Sequence, residues 1–298
     1  MLSSIFAGCE SDISQDEADA TSCEGAYKDD NGRCRRPNGH FASSSCCVVP
    51  YAPKRRDLSA YTCPETSGPI PVAFFDADST LRIAKSGSVS ASEIDDVYVL
   101  PFAAKHIKAL NEQGFLTAIV SNQGGVSQGH ETLEVAEGAL LYLAGQLHQL
   151  GARIDYLDLA ENYDDFRKPK TGMAEKLNEL LTAKCGSGVD MEKAFMVGDG
   201  GYKEGVDGPH PDGRPADDFS NADRLFAENL GIPFHEPTDY FGWRTWEVYN
   251  IHNTEELLGL LTSVDKEIAS LKESGENPDR AEELQSEVDG NRAVNGFD

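Results

Sequence analysis

From Pro69 onward the chain alternates short apolar, β-prone runs with helical patterns, and this order restricts the fold more than any other feature. The runs cover residues 72–75, 116–121, 154–159, 194–198 and 232–235. Helical periodicity fills the gaps at 101–112, 133–150, 172–183 and 221–230. Gly114, Gly151 and Gly231 each stand where a helix needs a C-cap. A βαβα order predicts an α/β fold, a doubly wound, Rossmann-like parallel sheet with helices on both faces. Sheets of that kind keep their sites at the carboxyl ends of the strands.

The residues at those ends carry chemistry. The first run delivers Phe74-Phe75-Asp76-Ala77-Asp78-Ser79-Thr80. Two carboxylates this close repel unless a cation lies between them or one holds a proton. Mg²⁺-dependent phosphoryl transfer uses such a pair: one Asp attacks phosphorus and its neighbour shuttles a proton. An Asp- and Ser-rich turn is the plainer alternative. The second run ends in Ser121-Asn122-Gln123-Gly124-Gly125, a hydroxyl followed by amides and glycines that can donate to phosphate oxygens. After the third comes Arg167-Lys168-Pro169-Lys170-Thr171-Gly172-Met173, where a lysine can neutralise a carboxylate and a phosphate together. The fourth ends in Gly198-Asp199-Gly200-Gly201, suited to Mg²⁺, and Asp223 follows at the start of a helix. Singly, each of these could be a cap, a surface charge or a turn former. Four at successive strand ends form a constellation.

The order Asp-x-Asp, Ser, Lys, Gly-Asp resembles the haloacid dehalogenase superfamily of phosphohydrolases over about residues 70–242. Within it, the chain is most similar to the 3′-phosphatase domain of polynucleotide kinase/phosphatase. The residues 121–125 (SNQGG), 167–173 (RKPKTGM), 197–200 and 218–234 (DFSNADRLFAENLGIPF) carry the likeness, with 236–241 trailing. The resemblance implies that Asp76 is the nucleophile that becomes an aspartyl-phosphate, and that Asp78 is the general acid/base. It implies that Thr80, Ser121, Asn122 and Lys168 hold phosphate. Asp76, Asp78, Asp199 and Asp223, with the Ala77 carbonyl, are the candidate surroundings of Mg²⁺. Gln123, Gly124, Arg167 and Arg224 are the candidate substrate contacts. Ser79 stands where these enzymes usually have Gly. Only about two dozen residues separate the first acidic loop from the next helix, so the fold is expected to be essentially capless and open to a polymer end or a small ester.

The 298-residue chain carries a formal charge of −25, and the acidic excess is not confined to its ends. Such a field repels a polyanion unless a local basic cleft or bound cation overrides it. The loop 200–221 sets Lys203 and Arg214 against Glu204, Asp207, Asp212, Asp217 and Asp218. The resemblance, against this charge, implies a phosphorylated substrate, 3′-phosphorylated DNA ends, with DNA repair as the setting. A small phosphomonoester such as a sugar, nucleotide or histidinol phosphate is the alternative. Capless relatives for such esters often carry a Cys/His zinc loop, but residues 125–167 hold no Cys and only His130 and His148. A binding protein that kept the fold and lost turnover is the reading from another class, and the intact acidic set argues against it. No Gly-x-x-x-x-Gly-Lys-Ser/Thr appears, so no kinase domain is expected in this chain.

Six of seven cysteines (Cys9, Cys23, Cys34, Cys46, Cys47 and Cys63) lie in the first 63 residues. Residues 1–68 are therefore expected to be an irregular, disulfide-linked extension, with zinc involving His40 the competing reading. Residues 69–262 are the expected phosphatase domain, and 263–298 an acidic helical or flexible tail. The opening Ala7-Gly8-Cys9 resembles a lipoprotein cleavage box, which suggests a lipid anchor at Cys9 and an exported or cell-envelope protein, the alternative being cytoplasmic. Nothing else approaches transmembrane length.

Overall fold

The computed structural model describes residues 53–65, 67–202 and 220–297, with the backbone of a short antiparallel pair, Tyr27–Lys28 against Cys34–Arg35. Two units divide the chain, Met1–Ala52 and Pro53–Asp298. Cys9, Cys23, Cys46, Cys47 and His40, with residues 203–219 and their charges, lie outside the described residues.

The second unit is built on five parallel strands: β1 (Ile70–Phe75), β2 (Leu116–Asn122), β3 (Tyr156–Ala160), β4 (Val189–Val197) and β5 (Phe234–His235). Their order across the sheet is β3-β2-β1-β4-β5. The chain winds to one side of β1 and then to the other, which creates a topological switch point beside β1. Strand β1 alternates between two cores. Ile70, Val72 and Phe74 join one cluster, with Met173 and Leu177 of α3 (Gly172–Cys185) and Phe226 of α4 (Ala222–Leu230). Ala73 and Phe75 join the other, with Ile107 of α1 (Ala103–Glu112) and Leu140 and Leu143 of α2 (Leu133–Gln149). Covered on both faces, β1 reads as a continuous apolar run. The register pairs Phe75 with Ile119 and with Val197, so Asp76, Ser121 and Asp199 emerge at one edge.

The acidic carboxyl-terminal segment is built into this unit. Helix α5 (Thr254–Ser274) presents Leu257, Leu260, Leu261, Val264 and Ile268 to the same core as Phe75. Helix α6 (Pro278–Asn295) folds back on it, adding Leu284 and Val288 and an Arg292–Asp265 ion pair. The boundary at 262/263 thus falls inside a helix whose apolar stripe repeats every three or four residues. Two amides of α6 also bind the backbone of Val99: Asn295 Oδ1 accepts its N–H at 2.7 Å, and Asn291 Nδ2 donates to its carbonyl at 3.0 Å. Val99 belongs to a two-stranded flap, Arg82–Ile83 with Tyr98–Val99. That flap stands between β1 and α1 in place of a domain-sized lid.

Upstream, the compact unit begins at Pro53 rather than at 69. Arg55 bridges the outer edge of β3 at Leu157, and Arg56 Nε donates to the buried Asp158 at 2.8 Å. This strap covers an edge that would otherwise be open. The expected disulfide network is corrected in one respect: Cys63 bonds to Cys185 at the end of α3, not to another cysteine of the extension. A strap held at Leu58 and Ser59 by Lys184 brings the two thiols together. Among the described residues no helix is long and apolar enough to cross a membrane.

Candidate active site

Asp76 follows β1 directly, and its N–H is bonded to the Val197 carbonyl at 2.9 Å, which ties the tip of β1 to that of β4. Lys168 reaches it from the loop after β3: Nζ lies 2.6 Å from Asp76 Oδ1 and 2.7 Å from Asp223 Oδ1. Lys168 is almost wholly buried, so these are low-dielectric pairs. Its loop is set by Asn122, whose side chain accepts from the Lys168 N–H at 2.9 Å and donates to the Lys168 carbonyl at 3.0 Å. Asn122 therefore positions the lysine through its side chain, and it also lines the cleft.

Asp76, Asp199 and Asp223 each offer an oxygen within 4.8 Å of the others. Burial raises the Asp76 carboxyl to about 6, with Lys168 pulling it down and Asp223 and Asp78 pushing it up. Burial, then the charges of Asp76 and Asp223, raises Asp199 well above the usual carboxylate range. Burial works against the Lys168 ammonium, but Asp223 and Asp76 outweigh it and raise its pKa. Three carboxylates around one ammonium leave an excess of negative charge, the condition a divalent cation relieves. Asp223 is held for this role, with Oδ2 accepting the Gly200 N–H at 2.8 Å. A methyl group on Gly198 or Gly200 would overlap that carboxylate, which explains the glycines flanking Asp199.

Asp78 stands apart from the acidic cluster. Its oxygens take Arg82 Nε at 2.9 Å and Gln123 Nε2 at 2.7 Å. It faces the same cleft as a hydrogen-bonding carboxyl, not as a fourth metal-ligating side chain. The Ala77 carbonyl is likewise corrected: it accepts the N–H groups of Leu81 and Arg82 inside the turn. Thr80 is fully buried and its hydroxyl accepts the Asp199 N–H at 3.1 Å, so it joins two loops. Ser121 is buried and takes Gln123 Nε2 at 2.8 Å. Arg224 turns away from the cleft, its guanidinium bonded to the carbonyls of Gly201 and Tyr202 and to Glu228. Gln123, Gly124 and Arg167 do line the cleft, whose volume is about 700 Å³.

Four further residues bear on the site and carried no local signal. Arg82 is 1% exposed and orients Asp78. His252, from the loop before α5, places Nδ1 2.8 Å from Ser79 Oγ, and Ser79 adopts a φ of +55°. That left-handed turn favours Gly, and the His252 contact helps hold a serine there. Glu131 sits in the wall with Ser90 donating to it, its pKa raised by burial. Tyr163 stands at the rim, 65% exposed.

A strand-tip Asp, a lysine joined to it and an acidic cluster beneath an open cleft, on this sheet order, define a phosphomonoester hydrolase of the haloacid dehalogenase type. The chain belongs to the family described as "Polynucleotide kinase 3 phosphatase", whose model matches residues 71–241. An uncharacterized 20.8 kDa protein of Autographa californica nuclear polyhedrosis virus is 31% identical over 185 residues, covering 62% of this chain and 92% of the viral one. The bifunctional polynucleotide phosphatase/kinase of Schizosaccharomyces pombe is 31% identical over 176 residues, 56% of this chain but only 36% of the yeast protein. The D-glycero-beta-D-manno-heptose-1,7-bisphosphate 7-phosphatase of Haemophilus ducreyi is 28% identical over 137 residues, 42% of this chain and 70% of that enzyme.

Proposed function

We propose that the chain is a Mg²⁺-dependent polynucleotide 3′-phosphatase working through a phosphoaspartate at Asp76. The observation that supports this is the family match over 71–241, which encloses Asp76, Asp78, Lys168, Asp199 and Asp223 together. Lys168 holds Asp76 Oδ1, fixing the carboxylate at the floor of the cleft. An Asp76 oxygen attacks phosphorus and the ester P–O bond breaks. Asp78, oriented by Arg82 and Gln123, gives its proton to the departing alkoxide. Water then attacks the phosphorus, Asp78 takes its proton, and the P–O bond to Asp76 breaks to free phosphate and restore the carboxylate. Asp76, Asp199 and Asp223 would hold the cation, which supplies neutralisation of charge on the phosphoryl oxygens.

The site's own charge balance gives a test of cation binding. Without metal, Asp76 takes up its proton near pH 6, above its unfolded value of 3.8. Between those values the folded state binds more protons, so this group's contribution to stability falls as pH rises and levels off above about pH 6. A cation competes with that proton. Mg²⁺ is therefore expected to raise the melting temperature clearly at pH 7.5 and little at pH 5. An equal shift at both pH values would remove the cation from this cluster.

The likeness to a heptose bisphosphate phosphatase supports a second reading, a small sugar phosphate as substrate. Comparing kcat/KM for a 3′-phosphorylated oligonucleotide, a 3′-mononucleotide and a panel of sugar phosphates separates the two. The proposed function predicts that the oligonucleotide is preferred; a preferred sugar phosphate would overturn it.

A further inference from the structure

An aromatic ring on a protein surface is usually laid against its neighbours, but Tyr163 stands out from the cleft rim and is fixed there. The Arg167 guanidinium lies over it, 4.3 Å from the ring centroid, and Gln128 Nε2 donates to its hydroxyl at 2.8 Å. Gly124 makes room for that guanidinium: a β-carbon there would meet Arg167 Nη1 at 2.9 Å. The ring is thus oriented from two directions before any ligand arrives, and 65% of the residue remains exposed. Its position relative to the chemistry is also set, since Arg167 is bonded in sequence to Lys168, which holds Asp76. All of Tyr163, Gln128, Gly124 and Arg167 line the one cleft.

We propose that Tyr163 is a stacking platform for the nucleobase next to the scissile 3′-phosphate. The proposal rests on the polynucleotide 3′-phosphatase reading and adds how a nucleotide end is told from a sugar phosphate. Charge makes stacking the apt device. Among the described residues that line the cleft, the acidic groups Asp76, Asp78, Glu131, Asp199 and Asp223 outnumber Arg167 and Lys168, and the whole chain is at −25. A groove that tracks a phosphate backbone needs the opposite sign. Base–aromatic stacking does not, works on every base through its π-face, and is strengthened by a neighbouring arginine. Recognition by this route calls for a frayed or single-stranded end, whose last base is free to leave its neighbour.

The test compares Tyr163→Ala and Tyr163→Phe on two substrates: an oligothymidylate with a 3′-phosphate, and glycerol 2-phosphate, which has no base. The measured quantity is the ratio of kcat/KM between them. Tyr163→Ala should lower that ratio about tenfold or more, mostly through KM for the oligonucleotide. Tyr163→Phe keeps the ring and should keep most of the ratio. An unchanged ratio in Tyr163→Ala, with wild type preferring the oligonucleotide, overturns the platform alone. So does an equal loss on both substrates, the mark of a structural role. Wild type that turns over glycerol 2-phosphate but not the oligonucleotide overturns the function reading, and the platform with it.

Discussion

Asp76→Asn is expected to lower kcat by about 10⁴-fold or more, as loss of a nucleophile does in enzymes whose catalytic groups act as a unit. The variant should nevertheless fold. Asp76 lies in a cluster that already disfavours its charge, with a pKa raised to about 6 by burial and by Asp223 and Asp78. A neutral amide of the same shape removes repulsion with Asp199 and Asp223, while Lys168 keeps Asp223 at 2.7 Å. In metal-free buffer at pH 7.5 its melting temperature should therefore equal or exceed that of wild type. Calorimetry beside a phosphatase assay reads both effects. An active variant would remove Asp76 from the role given to it, and an unfolded one would contradict the charge balance drawn for the cluster.

Lys168→Met reverses the balance between stability and catalysis. The lysine is 3% exposed and is paired with two carboxylates at once. Removing one partner of a buried pair costs about 3–5 kcal/mol, because the charges left behind are uncompensated. In a unit of this size that corresponds to a fall of roughly 10 °C in melting temperature. Activity should be lost as well, since nothing else among the described residues holds Asp76 Oδ1. Added Mg²⁺ should recover part of the stability and none of the turnover, because the cation replaces the charge but not the contact. A melting temperature equal to that of wild type would mean that the lysine does not neutralise the cluster.

The inner strands β1 and β2 could be read from the sequence because they are buried on both faces and so appear as plain apolar runs, whereas β4 showed only its buried end at 194–197. Asp76 and Asp199 emerged for that reason, each at a strand tip, while Lys168 in the loop after β3 and Asp223 at the start of α4 were legible from the motifs around them. Residues whose roles depend on a distant partner were harder. Arg82 looks like a surface arginine until the turn at Ser79 brings it onto Asp78. His252 lies 173 residues from Ser79, and no spacing announces their contact. The resemblance implies ligand contacts for Asn122, Thr80 and Arg224; their side-chain hydrogen bonds hold loops together, and of the three Asn122 also lines the cleft. The helical character of the acidic carboxyl-terminal segment is legible in the sequence, but the packing of α5 and α6 on the core is masked by their charge. Acidic residues dominate the outward faces, while Leu257, Leu260, Val264 and Ile268 form the stripe that meets the core. Cys63 was grouped with its sequence neighbours, although its partner lies 122 residues away.

The central claim is that the chain itself carries the phosphoryl group on Asp76 during turnover. Acid quenching of the enzyme with a radiolabelled 3′-phosphate, followed by peptide mapping, tests this directly. The account predicts acid-stable, base-labile label on the peptide containing Asp76, absent from Asp76→Asn. Turnover with no protein-bound label under single-turnover conditions, or label on a different residue, would contradict it.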